Sequence, residues 1–220
     1  SCKTDLQLEI PRGTETGIIL HSILQHLPLK NLATSTEKEI EELYVNPFIK
    51  NSNCADLGGA ISKLLLKLND ASFKTQFHSF FLKEIEEKLS LKESEFLFYQ
   101  DDLSSSHFIH GFYDMLFQHK GYYYLLDWKS DYLGAEASDY EKEALKSEVL
   151  QKYSIQISLY SEALYTLICS QNSQEDVQFG GIFYVYLRGL KYHQGTLYLS
   201  PSDIQALPTC SKLIKEAQSC

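Results

Sequence analysis

The spacing of apolar residues predicts that the first part of the chain is mainly helical. Residues 13–27 repeat apolar side chains at helical intervals, so a helix is expected from about Thr14. Thr36 and Glu39 have the spacing of a capping box, which opens a second helix. The second helix is expected to run roughly to Phe48, and two further segments are expected to be helical: residues 58–68 and, in whole or in part, residues 73–89.

The middle of the chain changes to the shorter apolar runs of strands. Residues 94–100 are short and aromatic, which predicts a strand, and a polar loop is expected over residues 103–108. Residues 111–130 predict two strands joined by a tight turn, because Gly121 permits the positive φ that such turns use. The region from about Ser138 to Cys169 is expected to form one or two helices.

The last part of the chain predicts a return to the sheet. Residues 179–190 are apolar on both faces, which is typical of a central strand covered on both sides. Residues 195–200 predict the next strand. Ser200 and Pro201 suit the N-cap and first position of a helix, so the chain is expected to end in one or two short helices.

Composition favours one soluble domain over residues 1–220. Of the residues 44% are hydrophobic, and no apolar run approaches the roughly 18 to 20 residues that span a bilayer, so no membrane association is expected. Met115 is the only methionine, which predicts a piece of a longer protein. The five cysteines form no C-x-x-C pair, which argues against disulfides, zinc and iron–sulfur clusters and fits a reducing cytoplasm.

Three charged residues interrupt the apolar hairpin. Asp127 and Lys129 are two apart, so their side chains point to one face of the sheet. If Gln118 pairs with Gly121, Asp114 lies on that face, diagonal to Asp127 and about 7 to 8 Å away. Two such carboxylates suit Mg²⁺, which prefers oxygen ligands, and one of them is expected to have a raised pKa without metal. A lysine beside them is suited to hold an attacking water.

The residues alone leave other interpretations open. The aspartate–lysine pattern also fits an exposed ion pair on an edge hairpin. His21 fits a core histidine with one hydrogen-bond partner. Tyr153, Gln156 and Tyr160 share one helix face, which is more typical of packing than of chemistry, although an amide between two rings has donors and acceptors for a phosphate. Arg188 fits a DNA phosphate contact and a surface ion pair equally well.

Four segments of the chain, in order, carry a resemblance to a known family. They span about Gly13 to Gly189 and resemble the RecB-type nuclease family of the PD-(D/E)XK superfamily. GFYDMLFQHKGYYYLLDWKSDYLG resembles its metal-binding hairpin, YSIQISLYSEALYTL its Q-x-x-x-Y helix, GGIFYVYLRG the following core strand and GIILHSILQHL its N-terminal metal-histidine helix. The hairpin alone is weakly specific, whereas the four segments together are strongly specific.

The resemblance implies a role for each matching residue. The implied metal ligands are His21, Asp114, Asp127 and the backbone carbonyl of Trp128. The implied catalytic residues are Lys129, the two aspartates and Glu95, which matches the acidic residue on the strand before the hairpin. The residues assigned to substrate binding are Gln156, Tyr160 and Arg188.

The resemblance also implies a fold and a function. The fold would be α/β with a restriction-endonuclease-like core, in which helices flank a central mixed sheet behind a helical N-terminal segment. The activity would be Mg²⁺-dependent hydrolysis of DNA, with Mn²⁺ as a substitute, in a RecBCD-type helicase and exonuclease complex for double-strand break repair and recombination. The partners would be DNA and, through the parent chain, RecC-like and RecD-like subunits. ATP would serve only the motor part of that parent, since this sequence has no G-x-x-x-x-G-K-[ST] loop.

The net charge of -9 has the wrong sign for a protein that captures DNA by electrostatics alone. Attachment to a motor that feeds the strand would remove this difficulty, because tethering raises the effective concentration of DNA. Two alternatives remain open. A catalytically silent DNA-binding or assembly module would have no reason to keep the charged hairpin, and a Mg²⁺-dependent phosphohydrolase acting on nucleotides would be expected to have a phosphate-cradling glycine loop.

Overall fold

The computed structural model describes residues 10–102, 105–171 and 178–207. The α-helices are α1 Thr14–His26, α2 Leu29–Thr34, α3 Glu37–Ile40, α4 Asn46–Ile49, α5 Gly58–Leu66, α6 Lys142–Gln171 and α7 Pro201–Gln205. The strands are β1 Ser72–Lys74, β2 Ser79–Phe81, β3 Ser90–Asp102, β4 Ser105–His119, β5 Tyr122–Lys129, β6 Gln178–Tyr186 and β7 Thr196–Leu199. The chain is therefore of the α/β class.

The main sheet is mixed, as the sequence predicted. Within the described ranges its strand order is β3-β4-β5-β6-β7, with β5 in the centre. β5 and β6 run parallel, and the other neighbours run antiparallel. The predicted doubly covered strand is β6, whose residues Gly180–Tyr186 are all buried.

Two apolar cores cover the two faces of this sheet. On one face, α1, α2 and α5 pack against side chains such as Leu126 of β5 and Phe183 of β6. On the other face, α6 packs against Leu125 and Tyr184. Because the N-terminal helices and α6 each cover a face, the central strand β5 holds its polar residues between two packed layers.

The predicted helix starts at both ends of the chain are confirmed. Thr36 and Glu39 form the capping box, with Oγ1 of Thr36 accepting from the Glu39 N–H at 3.3 Å and the Glu39 carboxylate accepting from the Thr36 N–H at 2.7 Å. A π-helical turn at Glu41–Val45 then connects α3 to α4. Ser200 caps α7, accepting from the Asp203 N–H at 3.1 Å. A second closing helix would fall outside the described residues.

The helical prediction for residues 73–89 is largely wrong. The segment contains the antiparallel strands β1 and β2, followed by two 3₁₀ turns. Phe73 and Phe80 lie opposite each other in this pair and stack at 5.7 Å, and both contact Phe183. The side chains of this segment therefore alternate with the period of two of a strand. Thr75 closes the turn between the strands by accepting from the His78 N–H at 3.0 Å.

Two other differences concern the length of elements. The region around residues 138–169 forms one 30-residue helix, α6, behind a 3₁₀ turn. The polar loop expected at residues 103–108 is shorter, because residues 105–108 already belong to β4; residues 103–104 lie outside the described ranges. In the part of the chain that is described, no helix has the length and apolar character needed to cross a membrane.

The register of the central hairpin also differs from the prediction. Gln118 pairs with Tyr123 instead of Gly121. A slip of one residue would turn every side chain to the other face, but this shift is of two residues and keeps the faces as predicted. The pairing ends at Met115 and Leu126, so Asp114 and Asp127 come next in line on adjacent strands.

Candidate active site

The first part of the site is a buried cluster on β5 and α6, which we call the lysine group: Asp127, Lys129 and Gln156. Nζ of Lys129 lies 2.5 Å from Oδ2 of Asp127 and donates to Oε1 of Gln156 at 3.4 Å. Nε2 of Gln156 donates to Oδ1 of Asp127 at 3.1 Å. Only 11% of the lysine side chain and 6% of the aspartate side chain are exposed. Each of the three groups therefore contacts the other two, although Oδ2 of Asp127 has only the ion pair with Lys129 and no hydrogen bond.

Aromatic rings enclose the ammonium of this lysine. Nζ of Lys129 lies 3.7 Å from the ring centre of Tyr153 and 5.5 Å from that of Tyr184. A cation over a ring face is attracted to it, most strongly away from water. Tyr153 and Gln156 are three apart on α6 and thus on one helix face, which is why both reach Lys129.

The charge of Asp127 is destabilised despite its ion pair. Burial raises the pKa of this carboxyl above its ordinary value, and the neighbouring charge of Asp114 raises it further. The charge of Lys129 acts in the opposite direction but does not cancel these effects. The sequence-based expectation that one aspartate has a raised pKa is therefore confirmed.

The second part of the site is the ligand group: His21 of α1, Glu93 of β3 and Asp114 of β4. One ligand atom from each of the three residues lies within 4.8 Å of the others. Nδ1 of His21 is 3.5 Å from Oδ1 of Asp114. Oδ2 of Asp114 accepts from the backbone N–H of Trp128 at 2.7 Å, which fixes the carboxylate against β5.

Strand pairing brings the two carboxylates of the ligand group together. The pairs on either side are Lys92 with Met115 and Ser94 with Tyr113, so Glu93 and Asp114 face each other between them. Glu93 has a φ of 48°, a left-handed conformation that is uncommon for residues other than glycine. The backbone is therefore locally distorted where the two acidic residues meet.

Asp114 changes the pKa of both other members of the ligand group. Burial alone would lower the pKa of His21, but its hydrogen bond with Asp114 and the charges of Asp114 and Asp127 outweigh burial and raise that pKa. Burial raises the pKa of Glu93, and the charge of Asp114 adds to the effect. The group thus combines an imidazole with carboxylates that repel each other.

A divalent cation fits this group. Two carboxylates and one imidazole nitrogen are ligand types that hard and borderline divalent ions accept, and a bound positive charge would relieve the repulsion between Glu93 and Asp114. Partial exposure, 32% for the His21 side chain and 15% for that of Asp114, leaves room for water ligands. Asp127 lies beside the group but is engaged by Lys129 and Gln156.

The structure places Glu95 outside the ligand group. This residue lies two pairs further along the hairpin than Glu93 and Asp114, opposite Phe112, and its side chain is 66% exposed. Its carboxylate contacts Nε2 of His110 at 2.5 Å and is not part of the ligand group. Glu93 is the acidic residue of β3 that faces Asp114.

The other predicted residues divide between the site and its surroundings. Gln156 belongs to the lysine group, whereas the hydroxyl of Tyr160 donates to the backbone carbonyl of Phe112 at 2.7 Å. Trp128 is buried and contributes its N–H to Asp114. The substrate role of Tyr160 and a metal contact of the Trp128 carbonyl stay predictions.

Arg188 lies in a structural position. Its guanidinium donates to the backbone carbonyls of Ser130, Ile10 and Pro11 at 2.6 to 2.7 Å. These bonds connect residues 10 and 11, which precede α1, with the end of β5, where the lysine group lies. They account for three guanidinium nitrogens, and a contact with a DNA phosphate stays a prediction.

Sequence reasoning missed Glu93 and its neighbour Lys92. Nζ of Lys92 donates to the carbonyl of Leu24 at 2.9 Å and to that of Leu27, at the C-terminal end of α1. Lys92 therefore holds the helix of His21 against the strand of Glu93. No local pattern in the sequence selects Glu93 over Glu95, because the choice depends on how β3 pairs with β4.

Comparison with known proteins agrees with this arrangement. A family model described as the PD-(D/E)XK nuclease superfamily matches residues 3–218. The RecBCD enzyme subunit RecB of Chlamydia pneumoniae is 29% identical over 213 residues, 96% of this chain and 19% of that protein. The subunits of the same name from Haemophilus influenzae and Escherichia coli K12 are 27% and 28% identical, over 89% and 83% of this chain and 18% and 17% of their own lengths.

The chain thus spans less than a fifth of the length of these curated relatives. The family match covers almost the whole chain, and the mixed sheet with its acidic and lysine residues agrees with it. The chain belongs to the PD-(D/E)XK nuclease superfamily.

Proposed function

We propose that this chain is a nuclease domain that hydrolyses DNA phosphodiester bonds with Mg²⁺, for which Mn²⁺ can substitute. The observation that carries the proposal is the position of the lysine group directly beside the ligand group. His21, Glu93 and Asp114 would hold the cation, with Asp127 next to them. A bound cation would polarise the phosphate and lower the pKa of water.

Lys129 is the residue of this chain that acts on the reacting groups. Its ammonium is held in place by Asp127, Gln156 and the ring of Tyr153, so it loses little freedom when a substrate arrives. In a site with little water, such a fixed charge orients an attacking water and stabilises negative charge on the phosphate. Gln156 is a positioning residue, because it bonds both Asp127 and Lys129.

The context we propose is a RecBCD-type helicase and exonuclease. The relatives are RecBCD enzyme subunits much longer than this chain, which supports DNA and RecC-like and RecD-like subunits as partners through a longer parent protein. The net charge of -9 supports delivery of the strand by a motor in preference to unaided capture. ATP would be used by that motor, in double-strand break repair and recombination in the cytoplasm.

The direct test is incubation of the chain with labelled single- and double-stranded DNA, with Mg²⁺ and with a chelator. We expect cleavage that requires the cation. Asp114→Asn, which keeps the size of the side chain, should abolish cleavage, whereas Asp203→Asn, which alters a partly exposed ion pair with Lys146, should not. Binding without cleavage under every condition would instead support the silent DNA-binding module.

A further inference from the structure

The hairpin of β3 and β4 extends beyond the rest of the sheet. β3 pairs with β4 as far as Asp102 and Ser105, whereas β5 pairs with β4 only between Met115 and His119. We call residues 95–102 and 105–112 the arm. Among the described residues, no third strand pairs with it.

One face of the arm is anchored to α6. The ring of Phe96 stacks on that of Tyr113 at 4.6 Å, and both rings contact Tyr160 edge-on. The Tyr160 hydroxyl bonds the carbonyl of Phe112 at 2.7 Å. The packing is close, since a Cβ at Gly111 would meet the Phe96 ring at 2.6 Å. The arm therefore has a fixed orientation.

The opposite face of the arm, the outer face, is an exposed row of rings. Alternation along paired strands places three successive pairs on it: Glu95 with Phe112, Leu97 with His110, and Tyr99 with Phe108. Each pair contains at least one ring. The exposed fractions of its apolar residues are 45% for Phe112, 67% for Leu97, 50% for Tyr99 and 71% for Phe108.

The position of the outer face connects it to the candidate active site. Its first pair, Glu95 and Phe112, lies two residues beyond Glu93 on one strand and Asp114 on the other. Successive pairs are about 6.6 to 6.8 Å apart along a strand, roughly twice the 3.4 Å repeat of stacked bases. The rings of His110 and Phe112, in successive pairs, meet edge-on at 5.1 Å, so a base would stack on the exposed side of a ring and not between these two.

The charge of the arm selects among possible ligands. Residues 93–119 contain no lysine or arginine, so the arm offers no cationic side chain of that kind to the phosphates of duplex DNA. The Glu95 carboxylate is engaged by His110. Proteins that hold single strands without reading their sequence stack the bases on exposed rings and follow the phosphates with a positively charged groove; the arm offers the rings, whose contact with an unpaired base needs no cation.

We propose that the outer face is a stacking platform for single-stranded DNA next to the active site. Tyr99, Phe108 and Phe112 are its stacking residues. The proposal rests on the proposed nuclease function for the identity of the ligand and adds a binding surface to it. Because stacking releases few counterions, the contribution of the platform to affinity should depend little on salt.

The test measures binding of a labelled oligothymidine to the 220-residue chain in chelator, where no cleavage occurs. We expect Phe108→Ala and Tyr99→Ala each to weaken binding roughly fivefold or more, the range for loss of one stacked base. Phe108→Leu should weaken it similarly, because leucine is apolar but has no ring face, whereas Phe108→Tyr should bind normally. Tyr165→Ala is the matched control, since Tyr165 is 62% exposed on α6.

Each result separates the platform from the nuclease activity. Unchanged binding in the alanine variants, or full binding in Phe108→Leu, overturns the platform whether or not the wild type cleaves DNA with Mg²⁺. Wild-type protein that binds through these rings but never cleaves overturns the proposed function and leaves the platform in place. Alanine variants that lose self-association in sedimentation while binding DNA normally would assign the arm to a protein contact instead.

Discussion

The lysine group and the ligand group lie side by side but differ in how their charges are balanced. In the lysine group, opposite charges are buried together and every member bonds the other two. The ligand group brings two carboxylates and an imidazole from three separate elements to a partly exposed position. In the first group only Oδ2 of Asp127 has an ion pair and no hydrogen bond, whereas the second group brings together like charges that a cation would balance.

This difference suggests a division of labour. A side chain that must act at one position in the transition state benefits from being fixed beforehand, which burial and internal bonds provide for Lys129. A site that must accept a hydrated cation benefits from partial exposure and from repulsion that the cation relieves. Variants of the two groups should therefore fail in different ways.

The largest effect is expected in the lysine group. Lys129→Ala should lower cleavage by two or more orders of magnitude at saturating Mg²⁺, a loss of roughly 3 kcal/mol or more of transition-state stabilisation. The stabilising effect of Mg²⁺ on folding should remain, because the ligand group is intact. Single-turnover cleavage and thermal unfolding measure the two properties.

Lys146→Ala is the control for this variant, because Lys146 also pairs with an aspartate but at an exposed position. A Lys129→Ala protein that cleaves at the wild-type rate would remove Lys129 from the mechanism. Loss of the Mg²⁺ response together with activity would mean that the two groups do not act separately.

The second effect concerns the ligand group. Mg²⁺ at about 100 times its Kd should stabilise the wild type by about 2.7 kcal/mol, seen as a rise in Tm. Glu93→Gln should reduce this rise and His21→Ala should weaken it without eliminating it, whereas Glu95→Gln should respond normally because that carboxylate lies outside the group.

Asp127→Asn sharpens the comparison further. The resemblance implies that Asp127 is a further ligand of the cation, and in that case Asp127→Asn should show a flat Tm although the ligand group is intact. A Tm that still rises with Mg²⁺ in this variant would show that His21, Glu93 and Asp114 bind the cation without Asp127. Equal losses in Glu93→Gln and Glu95→Gln would contradict the placement of Glu93 in the site.

The sequence predicts the lysine group better than the ligand group for a physical reason. Asp127 and Lys129 are two apart on one strand, so their common face follows from local geometry, and the face of Asp114 survived a register error of two residues. The position of Glu93 opposite Asp114 depends on the pairing of β3 with β4, which the polar residues 103–108 of the sequence do not fix uniquely. The face of a strand is a local property, whereas its register is not.

Contacts between residues far apart in the sequence were even harder to predict. Lys92 reaches Leu24 across 68 positions, and no local pattern signals such a bond. The segment with Phe73 and Phe80 resembles a helix in composition, but pairing and contact with Phe183 make it a β-hairpin. The expected mixed sheet and its flanking helices depend less on single contacts, which is why the α/β class was predicted correctly.

The third effect tests how the ligand group is held together. Lys92→Met keeps an apolar stem of similar length but removes the ammonium from the C-terminal end of α1, so we expect a loss of about 1 to 2 kcal/mol in the free energy of unfolding. The Mg²⁺ response should also weaken, because α1 carries His21. Urea unfolding with and without Mg²⁺ measures both.

Lys88→Met is the matched control, since Lys88 forms an ion pair with Glu86 and is 77% exposed. Its effect should be within the 0 to about 1 kcal/mol of surface pairs, with a normal Mg²⁺ response. A Lys92→Met protein as stable as the wild type would show that packing alone holds α1 on β3.

The smallest effect is the repulsion within the ligand group when no metal is present. Burial and the charge of Asp114 raise the pKa of Glu93 in the folded chain above its value of about 4.3 in an unfolded chain. Between these two pKa values the folded state therefore binds more protons than the unfolded state, and its stability falls as the pH rises from one to the other.

In chelator, Glu93→Gln should be more stable than the wild type at pH 8 by about 0.2 to 1 kcal/mol, the range for like charges facing each other on paired strands, and this advantage should shrink towards pH 4. Saturating Mg²⁺ should reverse the order at pH 8, because the wild type then gains more from the cation than the variant does. An advantage of Glu93→Gln that is the same at both pH values would show that the gain comes from the backbone distortion at this residue and not from charge.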